Sequence, residues 1–225
     1  ASGWMAFRGA RRRRAIDKGF VLSDHCDWEG LLKSIEATGA EKIICTHGYT
    51  DIFSRYLREQ GYDARTESTQ YGEEENQVAV EETTKTLDST NKTTLKVAAL
   101  TDYFMKASAT DKVWTIAILS HRRPPRPVNT TLLREWASEL ANIPLWLFEE
   151  SYHIVGDLAE TIALVVPATT STTTKTLTQF LEEMIALKKK SDEDKKNYLL
   201  GNWKVLDYYE RFVFTKLITG GFRIG

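Results

Sequence analysis

The chain has 225 residues, 42% of them hydrophobic, which is enough apolar material for one large core or two small ones. Its 30 basic and 31 acidic side chains give a net charge of -1. This balance excludes an overall basic field, so any surface for nucleic acid must be a local patch.

The two cysteines, Cys26 and Cys45, form neither a CxxC pair nor a disulfide framework, which favours a reduced, cytoplasmic compartment. The chain has no run of about eighteen apolar residues and no signal-peptide pattern at its start, so we expect neither a membrane span nor a membrane partner. The chain begins without Met, and its pattern starts and stops abruptly at both ends. We therefore expect it to be a piece of a longer polypeptide.

The first segment, residues 1–70, has the pattern of an α/β fold. Short apolar runs at residues 19–23 and 42–46 predict two buried strands. Each run is followed by apolar residues at helical spacing, the second set closed by Gly61. The order strand, helix, strand, helix predicts parallel strands covered by helices.

The remainder divides into a linker and a helical segment. Residues 71–91 are polar and acidic without apolar periodicity, which predicts a linker. In residues 92–225 the apolar residues recur at helical spacing, and this predicts an all-α helical bundle. Within it we expect a buried helix at residues 113–119, a helix stop at Pro167 and a helix end at Gly220.

Two histidines follow the predicted strands of the first segment. His25 lies between Asp24 and Asp27, and His47 precedes Gly48. Because ligands bind at the carboxyl ends of parallel strands, these imidazoles and carboxylates could hold a metal or a phosphate. The alternative is that both histidines are hydrogen-bonded residues at strand ends without a ligand.

The motifs LSDHCDW (residues 22–28) and IICTHG (residues 43–48) resemble the C-terminal part of β-CASP metallo-β-lactamase nucleases. The resemblance implies a partial metallo-β-lactamase fold, with His25, Asp24 and Asp27 as catalytic residues and His47 as a metal ligand. It also implies zinc or manganese for the intact nuclease, which hydrolyses phosphodiesters with two metals. The family's upstream H-x-H-x-D-H cluster does not occur in this chain, so the nuclease site is incomplete here.

Three longer segments resemble the N-terminal, DNA-binding domain of bacterial ATP-dependent DNA ligases. They are LSHRRPPRPV (residues 119–128), WLFEESYHIVGDLAET (residues 146–161) and ERFVFTKLITGGFRIG (residues 210–225). The resemblance implies a helical domain that holds nicked duplex DNA by its sugar-phosphate backbone. It also implies ATP and magnesium for the intact ligase, which seals nicks through a lysine-AMP intermediate.

The residues of these segments suit phosphate binding. Guanidinium groups fixed in a proline-stiffened loop favour bidentate phosphate contacts, and backbone amides at a glycine turn can accept an anion. The candidate DNA-binding residues are Arg122, Arg123, Arg126, Lys216, Thr219, Gly220, Gly221 and Arg223. The alternatives are a surface turn whose arginines pair with Glu149 or Glu150, and a plain helix C-cap at the glycines.

The chain lacks K-x-D-G, so the lysine that carries AMP must lie elsewhere, and we expect neither ATP nor the nuclease metal to bind fully here. Our interpretation is a DNA-repair polypeptide in which an exonuclease is fused to a ligase. Its expected partners are duplex DNA with nicks or ends and a DNA helicase of the same repair system. The alternatives are a non-catalytic DNA-binding scaffold and an RNA-processing nuclease.

Overall fold

The computed structural model describes residues 26–67, 101, 103–120, 122, 124–167 and 173–220. The chain divides into two compact units between residues 92 and 93. In the described residues, no helix is long and apolar enough to cross a lipid bilayer.

The first unit contains a parallel pair of short strands. Its elements are α1 (Trp28–Thr38), β1 (Lys42–Cys45), α2 (Thr50–Glu59) and β2 (Asp63–Thr66). β1 pairs with β2 in parallel, with Lys42 opposite Asp63 and Cys45 opposite Thr66. The predicted strand at residues 42–46 and the helix after it are therefore present, whereas the predicted strand at residues 19–23 lies outside the described residues.

Helix α2 supplies most of the packing in the described part of this unit. Leu57 is fully buried, and Tyr56, Cys45 and Ala64 are nearly so. The Arg58 guanidinium donates to the carbonyl of Ala64 at 3.0 Å, which ties α2 to β2. By contrast, α1 buries none of its residues against the described chain.

The described residues of the second unit contain helices and no strand. The helices are α3 (Ala109–Leu119), α4 (Thr130–Leu140), α5 (Leu145–Val155), α6 (Leu158–Val165), α7 (Leu177–Leu187), α8 (Asp192–Val205) and α9 (Tyr208–Thr219). Side chains cap most of their N-termini, with full capping boxes at Thr176 and Asp207. Helix α6 ends before Pro167, and Gly220 is the C-cap of α9, as predicted.

One apolar cluster forms the centre of the helical unit. Its fully or almost fully buried members include Leu133, Phe148, Ile162, Leu199 and Trp203. The indole of Trp203 donates to the Thr215 hydroxyl at 3.0 Å, so its polar group is satisfied in the core. Residues from α4 to α9 therefore share one core that fixes the helix ends described below.

Helix α3 differs from the prediction of a buried helix at residues 113–119. Val113 and Ile116 are 67% and 56% exposed, and the helix buries Asp111 and Ile118 instead. The reason is that one face of α3 packs on the core while Val113 and Ile116, three residues apart, share its opposite face. A high apolar content predicted the helix correctly but overestimated its burial.

Candidate nucleic-acid interface

The loop after α3 carries two of the predicted DNA-binding arginines within the described residues. Arg122 and Arg126 are both exposed, in a loop that also contains Pro124, Pro125 and Pro127. The backbone N–H of Arg122 donates to the carbonyl of Ala117 at 2.7 Å, which anchors the loop to the end of α3. At the other end of the loop Val128 is 4% exposed in the core. The arginines thus project from a segment that is fixed on both sides.

The end of α9 carries the predicted residues Thr219 and Gly220. Gly220 has a φ of 82°, in the region that favours glycine, and its N–H donates to the carbonyl of Lys216 at 2.8 Å. The Thr219 hydroxyl donates to the carbonyl of Thr215 at 3.1 Å, so it is engaged within the helix. The C-cap interpretation of Gly220 is therefore confirmed, while its contact with DNA stays a prediction.

Arg126 joins the loop to the end of α9. Its Nη2 donates to the carbonyl of Thr219 at 2.8 Å, across 93 residues of sequence. A guanidinium has five N–H donors, and Arg126 makes no other hydrogen bond within the described residues. Arg126 is exposed, so its remaining donors are accessible to solvent. Two of the segments singled out from the sequence are thus brought into direct contact.

Lys216 occupies a different environment from these arginines. Its side chain is 11% exposed, and its ammonium donates to Oδ2 of Asp157. The ammonium also lies 5.8 Å from the centre of the Phe212 ring. The predicted cation is therefore already paired with a carboxylate.

Asp157 is the N-cap residue of α6. Its Oδ1 accepts from the backbone N–H groups of Ala159 and Glu160 at 3.0 and 3.2 Å, which caps α6. The sequence did not indicate the second interaction, with Lys216, because the two residues lie 59 positions apart.

One predicted alternative partner of the arginine loop is already engaged. Glu149 accepts from Nη1 of Arg134 at 3.1 and 3.3 Å, and the guanidinium of Arg134 lies over the Tyr152 ring. Glu150 is exposed. Within the described residues, no ion pair joins Arg122 or Arg126 to either glutamate. The candidate residues Arg123, Gly221 and Arg223 lie outside the described residues.

Asp27 and His47 are the described members of the predicted nuclease site. Asp27 is the N-cap of α1, and its Oδ1 accepts from the N–H of Gly30 at 2.8 Å. His47 is exposed two positions beyond the end of β1. Asp24 and His25 lie outside the described residues. Because the described residues contain no group of three or more potential metal ligands, they do not by themselves provide a metal site.

Comparisons with known proteins identify a matching family and a similar protein. A family model described as DNA ligase N terminus matches residues 77–225. A probable DNA ligase from Opitutus terrae is 38% identical over 63 residues, which are 28% of this chain and 6% of that relative. No solved structure shows a significant match.

Proposed function

The chain belongs to the family of DNA ligase N-terminal domains, and from this membership we propose that its helical unit binds the nicked duplex that an ATP-dependent ligase seals. The observation that carries the proposal is the bond from Arg126 to the carbonyl of Thr219. It joins a basic, exposed loop to the end of α9, so that one surface presents guanidinium groups from a fixed backbone.

The chemistry of this surface suits the phosphate backbone rather than the bases. Guanidinium groups make bidentate contacts with phosphate oxygens, which are the same at every position of a duplex. We therefore propose that Arg122 and Arg126 contact phosphates and give binding that is independent of sequence. Arg123 and Arg223 are proposed to act in the same way on the strength of the sequence alone.

Binding and chemistry are divided within the proposed polypeptide. The chain has no K-x-D-G motif, so the lysine that receives AMP, together with the ATP and magnesium it uses, is proposed to lie in another part of the intact ligase. In this scheme the helical unit holds the nick while that other part closes it.

A finer proposal concerns the first unit. We propose that it belongs to a β-CASP metallo-β-lactamase exonuclease fused to the ligase, with zinc or manganese as its metal. The support is the sequence resemblance, together with the parallel β1–α2–β2 unit and the exposed His47 that follows β1. A cytoplasmic location and a helicase partner are further parts of this proposal.

The DNA-binding proposal is tested with the whole 225-residue chain and a nicked duplex, titrated at several salt concentrations. Each phosphate contact releases counterions, so Arg122→Ala should weaken binding and flatten the slope of log K against log salt by about one. Arg126→Lys keeps the charge but loses the planar guanidinium, so it should weaken binding with little change in slope.

The matched control is Lys204→Ala, which removes one exposed charge from α8, a helix with no predicted contact. Its binding line should coincide with that of the unmodified chain. Coincident lines for Arg122→Ala would reject Arg122 as a contact, and failure of the unmodified chain to bind nicked DNA would reject the proposed function. Tighter binding to an RNA duplex would favour the RNA-processing alternative.

A further inference from the structure

The carboxylate of Asp157 makes contacts in two directions. Through Oδ1 it caps α6, and through Oδ2 it accepts from the ammonium of Lys216 in α9. α6 and α9 also pack against each other through Ala159, Ala163 and Phe212, whose small and aromatic side chains form a separate buried cluster. Asp157 therefore connects the start of one helix to the last turn of another.

Lys216 connects this carboxylate to the proposed DNA-binding surface. Its carbonyl accepts the N–H of Gly220, and the carbonyl of Thr219 in the same turn accepts from Arg126. The side chain of Lys216 is therefore anchored by Asp157 in the same helical turn whose Thr219 carbonyl accepts from Arg126. Its ammonium is largely buried, whereas Arg122 and Arg126 are exposed.

We propose that Asp157 and Lys216 are positioning residues for DNA binding, and that Lys216 itself does not contact a phosphate. This inference rests on the proposed function. The pair is electrically neutral as a whole, so it adds little to the attraction of a polyanion. Its contribution is to hold the last turn of α9 where the carbonyl of Thr219 can orient the Arg126 guanidinium.

A direct phosphate contact by Lys216 would have different consequences. DNA would then compete with Asp157 for the ammonium, and removing the carboxylate would free Lys216 and strengthen binding. Removing Lys216 would also eliminate one counterion-releasing contact. A positioning role predicts instead that removing the Asp157 carboxylate weakens binding. It also predicts that removing Lys216 leaves the number of released counterions unchanged.

The experiment uses the whole chain and a nicked duplex over a range of salt concentrations, at a temperature where every variant is folded by circular dichroism. Asp157→Asn keeps a good N-cap for α6 but removes the charge that holds Lys216. Lys216→Met keeps an unbranched apolar stem beside Phe212 but removes the ammonium. Lys216→Arg retains a cation that can pair with Asp157.

We expect Asp157→Asn and Lys216→Met each to raise Kd by about threefold to tenfold, in the range of coupled neighbouring residues. The double variant should be no weaker than either single variant, the salt slope should be unchanged in all three, and Lys216→Arg should bind normally. A slope flattened by about one in Lys216→Met, or tighter binding by Asp157→Asn, would overturn the positioning role.

Two further results separate the possible failures. If the unmodified chain binds the nick but Asp157→Asn has the same Kd, the positioning inference fails and the proposed function stands. If the unmodified chain does not bind the nick, the proposed function fails. Should Lys216→Met not fold, Asp157→Asn together with Lys216→Arg still decides between the two roles.

Discussion

Asp111 is a buried carboxylate that links two helix starts. It lies in the first turn of α3, and its Oδ1 accepts from both the backbone N–H and the hydroxyl of Thr178, in the first turn of α7. The hydrogen bond from the Thr178 hydroxyl is the main reason that the pKa of Asp111 is lowered, and Ser108 contributes in the same direction. The charged form of Asp111 is therefore the form that stabilises the fold.

Because the pKa of Asp111 is lower in the folded state, its contribution to the free energy of unfolding depends on pH. The stabilisation is present above the pKa of the unfolded state, about 3.9, and is lost as the pH falls through the lower pKa of the folded state. We expect Asp111→Asn to reduce the free energy of unfolding by about 1 kcal/mol at pH 7, and by less as the pH falls below about 4.

Urea unfolding at pH 7, 5 and 3 measures this difference. Thr178→Val, which removes the hydroxyl and keeps the shape of the side chain, should show a smaller loss with the same dependence on pH. A difference between Asp111→Asn and the unmodified chain that is constant over this range would contradict the assignment.

The candidate site shows which residue properties the sequence could reveal. Arginines in a proline-rich loop and a glycine after a helix predict local structure, and the exposed loop and the C-cap at Gly220 agree with that. The contact of Arg126 with Thr219 and the pairing of Lys216 with Asp157 depend on how distant helices pack. Local sequence has no signal for such contacts. The sequence therefore could not distinguish Lys216, which is paired, from Arg122, which is exposed.

Arg211 shows how a single cation stabilises the ends of two helices. The residue is 1% exposed, and its guanidinium donates five hydrogen bonds, to the carbonyls of Trp203, Leu206, Ala163, Val166 and Pro167. These carbonyls lie at the C-terminal ends of α8 and α6, where helical carbonyls lack partners within the helix. Burial lowers the pKa of Arg211, and the nearby Asp207 opposes this shift.

We expect both Arg211→Lys and Arg211→Met to lower the free energy of unfolding by about 3 kcal/mol or more, because several buried carbonyls would lose their donors. Lysine cannot replace the planar fork, although it keeps the charge. Urea unfolding followed by far-UV circular dichroism measures the change. Lys204→Met, at an exposed position of α8, should stay within about 0.5 kcal/mol, and an equally small effect at Arg211 would refute its role at these helix ends.

The elements that the sequence predicted are those with a clear apolar period. Helices α4, α6, α7 and α9 have apolar residues at helical spacing, and α6 and α9 also have the predicted stops at Pro167 and Gly220. Strand β2, with the sequence DART, was missed because a short polar strand has no apolar run to mark it. It forms through pairing with β1, which is a property of the sheet and not of its own residues. The partial metallo-β-lactamase fold stays a proposal.

At the scale of the whole molecule, a net charge of -1 and a proposed role in DNA binding are compatible. Acidic side chains such as Glu149, Glu183 and Asp157 are paired with cations within the helical unit. The arginines of the loop have no such partner in the described residues. Attraction for DNA is therefore proposed to come from an unpaired local group rather than from the total charge.

Fusion of an exonuclease to a ligase would keep the second activity close to the product of the first, since a tether raises the effective concentration. The family model begins at residue 77, so it does not cover the first unit. The nuclease proposal for that unit is supported by the sequence resemblance, the parallel β1–α2–β2 unit and the position of His47. The two activities should then be separable by a single substitution in the first unit.

The substitution is His47→Ala, made in a polypeptide extended to include an upstream H-x-H-x-D-H cluster and a downstream K-x-D-G motif. If His47 is a metal ligand, its loss should lower cleavage of duplex ends by at least about tenfold and lower bound zinc or manganese. ATP-dependent sealing of a nicked duplex should be unchanged, because the helical unit and the adenylated lysine are intact.

His153→Ala, at an exposed position of α5, is the matched control and should leave both activities unaltered. Unchanged cleavage and metal content in His47→Ala would reject His47 as a metal ligand, while continued sealing would show that the ligase assignment does not depend on it.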